Sequence, residues 1–209
     1  MKANIAQEGD DWMRQRAGMF TASRASDLMA RTKSGPSASR GNLLALLAVE
    51  RLTGQPVEGY RNAAMDRGIE LEAEARDAYS FATGRAVEEC GFILAPDLPN
   101  CGCSPDGRVG DGLVEIKCPS SMQKHLDALR TGAHAVEYRW QLQHQLMVTE
   151  CPWVDAVSYD PRWPEHLQLA IVRVHRDEDA IAQLRQAIVA ADEEVTATVA
   201  ELSNMKEAA

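Results

Sequence analysis

Three charged residues lie close together in residues 101–119, whose sequence is CGCSPDGRVGDGLVEIKCP. Asp106 follows Pro105 at a strand end or turn, and Glu115 and Lys117 are two residues apart in an otherwise apolar strand. Residues two apart on a strand share one face of the sheet. A tight turn at RVGDG would bring Asp106 close to Glu115. We therefore predict that two carboxylates and an ammonium converge on one face of a sheet.

Such a group of charges is suited to holding a metal ion. Buried like charges repel each other, so two neighbouring carboxylates need a compensating cation. Oxygen ligands suit Mg²⁺ or Mn²⁺, and such an ion neutralises the negative charge that develops during phosphodiester hydrolysis. The alternative is a surface ion pair with Asp106 as an ordinary turn residue. It explains each residue singly, but not why two charges share one side of LVEIKC.

In the metal interpretation each residue has a role. Asp106 bridges the ions, while Glu115 and the backbone carbonyl of Ile116 complete one coordination shell. Lys117 orients the attacking water or helps to deprotonate it. The spacing P-D…E-x-K resembles the signature of the PD-(D/E)XK nuclease superfamily, although that motif is short and degenerate.

The elements that must position these residues follow from hydrophobic periodicity and from Gly and Pro. Helices are predicted over NLLALLAVERLT and over about 63–82, 120–129, 137–149 and 178–202, with a short helix capped by Thr21 or Ser23 and a mobile loop over 34–41. A three-strand meander is predicted over 86–96, 101–109 and 113–118, with further strands over 153–160 and 166–176. The order of these elements predicts an α/β or α+β fold around one mixed sheet.

Composition bounds the class of protein. The chain has 209 residues, of which 45% are hydrophobic and 25% charged, and we expect one domain over 1–209. No run approaches the roughly 18 apolar residues of a membrane span, and no secretory signal is visible, so we expect a cytoplasmic protein. The five cysteines are expected to be reduced thiols. The net charge of −9 disfavours nucleic-acid binding except through a confined basic face or a metal-loaded site.

Five blocks, which together cover most of the chain, resemble the phage lambda exonuclease family (alkaline exonuclease, YqaJ-like) in the same order. The blocks are EGDDWMRQRAGMFTAS, RGIELEAEARDAYSFATG, CSPDG, EIKCP and YRWQLQHQLMVT. The resemblance implies a PD-(D/E)XK, restriction-endonuclease-like core, with a central mixed sheet flanked by helices. It also implies a Mg²⁺-dependent 5′-to-3′ exonuclease that acts on double-stranded DNA ends, releases 5′ mononucleotides and leaves a 3′ overhang.

The resemblance further assigns two residues outside the hairpin to the catalytic site. Glu72 corresponds to the family's helix carboxylate, which acts on the second of two Mg²⁺ ions, and Mn²⁺ is expected to substitute. Gln141 corresponds to a glutamine that touches the metal-bound water or the phosphate. Glu70 and Glu74 compete with Glu72. Gln143 and Gln145 are interpreted as packing or solvent residues, although Gln145 lies one turn after Gln141 and could share its face.

The remaining family positions concern DNA. Arg16, Ser23 and Ser104 match a pocket for the 5′-terminal phosphate, and guanidinium and hydroxyl groups suit a phosphate. The residues alone also allow a solvated helix arginine and a helix N-cap. Met65 matches an apolar wedge that enters the duplex end, or is an ordinary buried methionine. Lys33 occupies a position at which the family has an arginine near the DNA. The compact ammonium of lysine therefore replaces a planar guanidinium.

The family's assembly would explain the acidic balance. The resemblance implies a homotrimeric ring around the duplex, basic inside and acidic outside, and a phage single-strand annealing protein as partner. Two other functions stay open: a restriction-like endonuclease that cuts within duplexes, and a catalytically silent DNA-binding protein. A closed circular plasmid separates the first from an exonuclease, because an exonuclease leaves it intact.

Overall fold

A computed structural model describes the backbone of residues 10–33, 35–57 and 63–205. The side chains of residues 10, 11 and 63–65 lie outside that description. Within the described residues, no helix combines the length and the apolar character that crossing a membrane would require.

The chain alternates helices with short strands. The helices are α1 (Asp10–Arg16), α2 (Ala25–Met29), α3 (Ala38–Thr53), α4 (Ala63–Thr83), α5 (Met122–Thr131), α6 (Ala133–Glu137), α7 (Arg139–Thr149) and α8 (Glu178–Met205). The strands are β1 (Phe20–Thr21), β2 (Arg31–Thr32), β3 (Gly35–Pro36), β4 (Ile93–Leu94), β5 (Cys101–Cys103), β6 (Gly107–Val109), β7 (Gly112–Lys117), β8 (Trp153–Tyr159) and β9 (Leu169–His175).

The main sheet has the strand order β6-β7-β8-β9. Strands β7 and β8 are parallel, and Lys117 is level with Ser158. The β6–β7 and β8–β9 pairs are antiparallel. A second, smaller sheet has the order β1-β5-β4, in which β5 runs parallel to β1. The mixed sheets and their flanking helices confirm the predicted mixed α/β fold.

The three segments of the predicted meander pair antiparallel in order, but the middle one is divided between two sheets. Strand β4 pairs with β5, and Glu88 bridges Arg108 of β6. Strands β6 and β7 form a hairpin, closed where Val109 faces Gly112. Strand β5 also pairs with β1, in the smaller sheet. Pro105 falls between β5 and β6 and has no N–H to donate to a ladder. The chain therefore leaves one sheet and enters the other at this point.

The helix ends are mostly as predicted. Helix α3 ends before Gly54 and α4 before Gly84, and both glycines adopt positive φ angles, of 65° and 66°. A left-handed residue at this position is a common helix end, and glycine adopts it without a steric cost. Strands β8 and β9 and the long helix α8 also lie where the sequence places them.

Four local predictions need correction. Ser121, not Ser120, caps α5 and accepts a hydrogen bond from the backbone N–H of Lys124. Ser37 caps α3, so the second half of the predicted loop over 34–41 is helical. Thr21 makes no side-chain cap. The helix predicted over 137–149 is divided at Tyr138, where the backbone leaves the helical region between α6 and α7.

The two faces of the main sheet are covered by different helices. Val114 and Ile116 of β7 pack on Tyr79 of α4. Leu113, on the opposite face, packs on Leu142 and Leu146 of α7. Residues alternate along a strand, so the side chain of Glu115, which also lies on the second face, is directed towards α7.

A buried histidine on α7 contributes to stability in a pH-dependent way. His144 is 1% exposed, and its Nε2 lies 3.3 Å from the Sγ of Cys101. Burial lowers the pKa of His144 from 6.5 to about 4. The folded protein therefore holds a neutral imidazole over a range in which the unfolded chain takes up a proton.

This difference predicts that the wild type loses stability on acidification. The His144→Gln variant should lack this part of the pH dependence, because its amide does not bind a proton in this range. Between pH 6.5 and about 4 the unfolded wild type binds more protons than the folded one, so lowering the pH destabilises it. Relative to the variant, the wild type should lose up to about 3 kcal/mol of unfolding free energy. Urea unfolding at a series of pH values measures this. Parallel curves for the two proteins would contradict the argument.

Candidate active site

The β6–β7 hairpin brings Asp106 to Glu115, as the sequence predicts. Gly107 pairs with Val114, so the residue before Gly107 lies level with the residue after Val114. The Oδ2 of Asp106 accepts a hydrogen bond of 2.6 Å from the backbone N–H of Ile116. Burial, together with the neighbouring Glu115 carboxylate, raises the pKa of Asp106 well above its ordinary value. Negative charge is therefore in excess at this point.

Glu115 is a buried carboxylate, 3% exposed, and both of its oxygens are hydrogen bonded. Its Oε1 accepts from Lys117 Nζ at 2.7 Å and from Gln141 Nε2. Its Oε2 accepts from Gln145 Nε2 at 2.5 Å. A strand and a helix thus supply three donors to one carboxylate, and they fix its orientation.

Lys117 is held on the same face as Glu115. Its ammonium also lies 4.8 Å from the centre of the Tyr138 ring, at the break between α6 and α7. Burial on its own would lower the pKa of Lys117, but Glu115 and Asp106 outweigh burial and raise it above its ordinary value. With these neighbours Lys117 is a cation and a hydrogen-bond donor.

Glu72 of α4 is the helix carboxylate that faces the hairpin. It lies close enough to Asp106 to raise the pKa of that carboxyl further. Its Oε1 accepts a 2.6 Å bond from Arg76, one turn later. The two competing glutamates are placed differently: Glu74 accepts a 2.7 Å bond from the Tyr159 hydroxyl, and Glu70 is exposed.

The charge and the oxygen donors of these acids suit a divalent cation, although the side chains are not already arranged around one ion. Among the described residues, no three His, Cys, Asp or Glu side chains are grouped closely enough to hold a metal by themselves. Glu115 is satisfied by its three donors instead. However, Glu72, Asp106 and Glu115 are hard oxygen donors, and burial together with the neighbouring carboxylates raises the pKa of Asp106 although Lys117 opposes this. Such a set favours Mg²⁺ or Mn²⁺.

A second group of side chains forms a basic pocket. Arg16 Nη2 donates to Ser23 Oγ at 3.3 Å, and its guanidinium lies 3.9 Å above the ring of Trp12. The indole N–H of Trp12 donates to Ser104 Oγ at 3.2 Å. The structure thus brings together the three residues that the resemblance assigns to a phosphate pocket, with Trp12 between them.

The pocket carries uncompensated positive charge. Burial, with repulsion from Arg24, lowers the pKa of Arg16 to about 10, although Glu50 opposes this. Glu50 is buried and accepts from Arg24 at 3.2 Å and from the backbone N–H of Gly18 at 2.8 Å. Among the described residues no carboxylate pairs with Arg16 itself. A bound anion would offset both the cost of burying the Arg16 charge and the repulsion from Arg24.

The two predicted DNA contacts remain apart from these groups. Lys33 lies in the exposed turn between β2 and β3. Met65 lies in the first turn of α4, but its side chain is outside the described part of the structure.

Sequence reasoning underestimated Gln145, and it interpreted Trp12 as a core or subunit-contact residue, whereas the Trp12 ring lies under the Arg16 guanidinium. Gln145 is fully buried and bonds to Glu115, rather than serving as a packing or solvent residue. Its spacing of four from Gln141, which places both on one helix face, was the available signal. Trp12 and Arg16 have the same spacing on α1.

The mixed sheet, with its acid pair and lysine at one strand end, has the PD-(D/E)XK nuclease fold. The model of the YqaJ-like viral recombinase domain matches residues 11–152, and the chain belongs to this family. A comparison with functionally curated proteins gave no significant match.

Two proteins of known structure resemble the chain to different degrees. The chain is 41% identical to the alkaline exonuclease LHK-Exo from Laribacter hongkongensis, over 95% of this chain and 98% of that one, with a TM-score of 0.87. One LHK-Exo structure contains dAMP. A phage-related exonuclease from Haemophilus somnus 129PT is 16% identical over 88% of this chain and 96% of that one, with a TM-score of 0.72, and shows the fold alone. The relatives support a DNA exonuclease role.

Crowding of the acids predicts that Asp106→Asn stabilises the protein in metal-free buffer. The amide oxygen still accepts the Ile116 N–H, while repulsion by Glu115 and Glu72 disappears. We expect the free energy of unfolding to rise by about 1–2 kcal/mol, measured by urea denaturation. Added Mg²⁺ should stabilise the wild type but not the variant.

Asp111→Asn provides the control. It removes one charge at the tip of the same hairpin, where Asp111 accepts a 3.0 Å bond from the Trp153 indole. This variant should gain no stability. A destabilised Asp106→Asn protein would show that crowding of the acids is not the dominant effect.

Proposed function

We propose that residues 1–209 form a single nuclease domain, a Mg²⁺-dependent 5′-to-3′ exonuclease on double-stranded DNA ends. It releases 5′ mononucleotides and leaves a 3′ single-stranded overhang. The observation that carries the proposal is the pair of linked sites: crowded carboxylates with Lys117, and a basic pocket around Arg16. The dAMP in the LHK-Exo structure is a nucleoside monophosphate, which is the product class proposed here.

The acids would hold the metal. PD-(D/E)XK nucleases generally use divalent ions, and we assign two Mg²⁺, with Mn²⁺ as a substitute, to Asp106, Glu115, Glu72 and the carbonyl of Ile116. The ions supply charge neutralisation and a lowered pKa of water.

The chain's own groups have separate tasks. Lys117, as a donor, orients the attacking water, and it stays in place because Glu115 and the Tyr138 ring hold it. Gln141 donates to Glu115, and we assign it to the metal-bound water or the phosphate. Asp106 is fixed by the backbone of β7, so its second oxygen is presented at a defined position.

The basic pocket supports the 5′ polarity. Arg16, Ser23 and Ser104 offer a guanidinium and two hydroxyls to a terminal phosphate, which carries more negative charge than an internal one. Ser104 and Asp106 are two residues apart, separated by Pro105. This short link holds the terminal phosphate a fixed distance from the acids and supports release of one nucleotide at a time.

The wider assembly is part of the proposal. We assign Lys33 and Met65 to contacts with the duplex. We also propose a homotrimeric ring and a phage single-strand annealing protein that receives the overhang. The relation to a viral recombinase family supports the role in recombination by annealing.

Replacing Lys117 tests the chemistry. On linear duplex with Mg²⁺, Lys117→Ala should reduce release of acid-soluble nucleotide by at least about 100-fold, while binding to the duplex persists. Lys124→Ala is the control, since Lys124 is exposed and pairs with Glu137 on the surface. The wild type should leave a closed circular plasmid intact. Cleavage of the circle, or survival of linear DNA with the wild type, would refute the exonuclease.

Replacing Arg16 tests the polarity. The wild type should start more slowly on dephosphorylated 5′ ends than on phosphorylated ones, by about tenfold. Arg16→Gln should remove this preference, whereas Arg14→Gln, an exposed arginine of the same helix, should keep it. The initial rates on the two substrates provide the ratio. An unchanged ratio in Arg16→Gln would place 5′-phosphate recognition elsewhere.

A further inference from the structure

Two guanidinium groups meet one buried carboxylate just beyond β8. Asp160, which is 0% exposed, follows Tyr159 at the end of that strand. Arg162 and Arg67 both donate to it. One negative charge faces two positive charges, so the group as a whole is cationic.

The described hydrogen bonds of the Arg162 side chain all go to neighbouring parts of the fold. Its Nε donates to Asp160 Oδ1 and its Nη2 to Oδ2, both at 2.7 Å. The same Nη2 also donates to the backbone carbonyls of Pro119 and Ser120, at 3.3 and 3.0 Å. These bonds tie the segment after β7 to the end of β8.

Arg67 is only weakly bound. Within the described part of the chain it makes one hydrogen bond, of 3.3 Å, to the Asp160 Oδ1 that also accepts from Arg162. Its Nε is buried and has no hydrogen-bond partner among the described residues. The side chain is 28% exposed. A buried donor without a partner costs free energy comparable to a lost hydrogen bond, so this guanidinium is suited to a further acceptor.

The sheet register places Arg67 near the strand end that carries Lys117. Lys117 is level with Ser158 in the parallel β7–β8 pair, and just beyond it the Asp160 partner Arg162 donates to the carbonyl of Pro119. Arg67 also precedes Glu72 by five residues on α4.

We propose that Arg67 binds a backbone phosphate of the DNA at this edge of the sheet. The inference rests on the proposed function, and it assigns a contact separate from the pocket of Arg16. A phosphate oxygen would accept a hydrogen bond from the exposed part of the guanidinium and would neutralise the surplus charge. The planar guanidinium can bridge Asp160 and a phosphate together, because its donors point in more than one direction.

The test measures DNA binding without cleavage, with Ca²⁺ replacing Mg²⁺ and a short 5′-phosphorylated duplex as the probe. One phosphate contact contributes about 0.9 to the slope of log K against log salt. Arg67→Gln should therefore lower the slope by about that amount and weaken binding about fivefold to tenfold at low salt. Arg85→Gln is the matched control, because this exposed arginine follows the far end of α4 and lies over Trp153 at the start of β8.

The outcomes separate the two proposals. Wild type that neither binds nor digests the duplex refutes the proposed function, and this inference falls with it. Wild type that does both, with Arg67→Gln retaining the full slope and affinity, overturns the inference alone and leaves Arg67 as a partner of Asp160 only. A slope lowered equally in Arg85→Gln would also overturn it, since the effect would then follow net charge.

A second variant guards against misfolding. Arg67→Lys keeps the charge but loses the fork, so it should retain the salt slope and bind more weakly than the wild type. Thermal melting identifies any variant that fails to fold. If Arg67→Gln fails, Arg67→Lys decides: binding as tight as that of the wild type overturns the inference.

Discussion

The interaction on which the active site depends is the burial of the Glu115 carboxylate. Taking a charged group out of water costs several kcal/mol unless hydrogen bonds replace the lost solvent. Lys117, Gln141 and Gln145 provide these bonds, and they come from β7 and α7. The helix must therefore dock on this face of the sheet in one register, which its apolar contacts with Leu113 also require. The docking of α7 on the sheet therefore also fixes the orientation of the Glu115 carboxylate.

The two charged sites are connected by one short segment of the chain, but they carry charges of opposite sign. At the acids, burial and the neighbouring Glu115 raise the pKa of Asp106, so a cation would stabilise its ionised form. At the basic pocket, burial and repulsion from Arg24 lower the pKa of Arg16, so an anion would stabilise its charged form. Ser104 and Asp106 link the two sites through Pro105, whose fixed φ restricts their separation. A substrate with a terminal phosphate and a metal-bound phosphate would stabilise both sites.

Short-range patterns were predictable from the residues themselves, whereas long-range groupings such as Arg16 with Ser104 were predicted only through the family resemblance. The alternation in LVEIKC gave the shared face of Glu115 and Lys117, and the glycine-rich turn gave the approach of Asp106. Gln145 could have been found from its spacing to Gln141. By contrast, β5 joins β1 across about 80 residues, and Arg67 meets Asp160 across 93. No local propensity encodes such partners, because they depend on how the two sheets and α4 pack.

The acidic balance of the chain does not oppose an anionic substrate, because the field at a site is local. Charges separated by more than about 10 Å are largely screened at moderate salt. Arg40 and Arg51 pair with Glu194 and Asp192 of α8, and so contribute little beyond those pairs. Arg16 has no such partner among the described residues, and Arg67 shares its only one with Arg162. Arg16 and Arg67 are thus among the described cations that have no carboxylate of their own, and a net charge of −9 gives no indication of them.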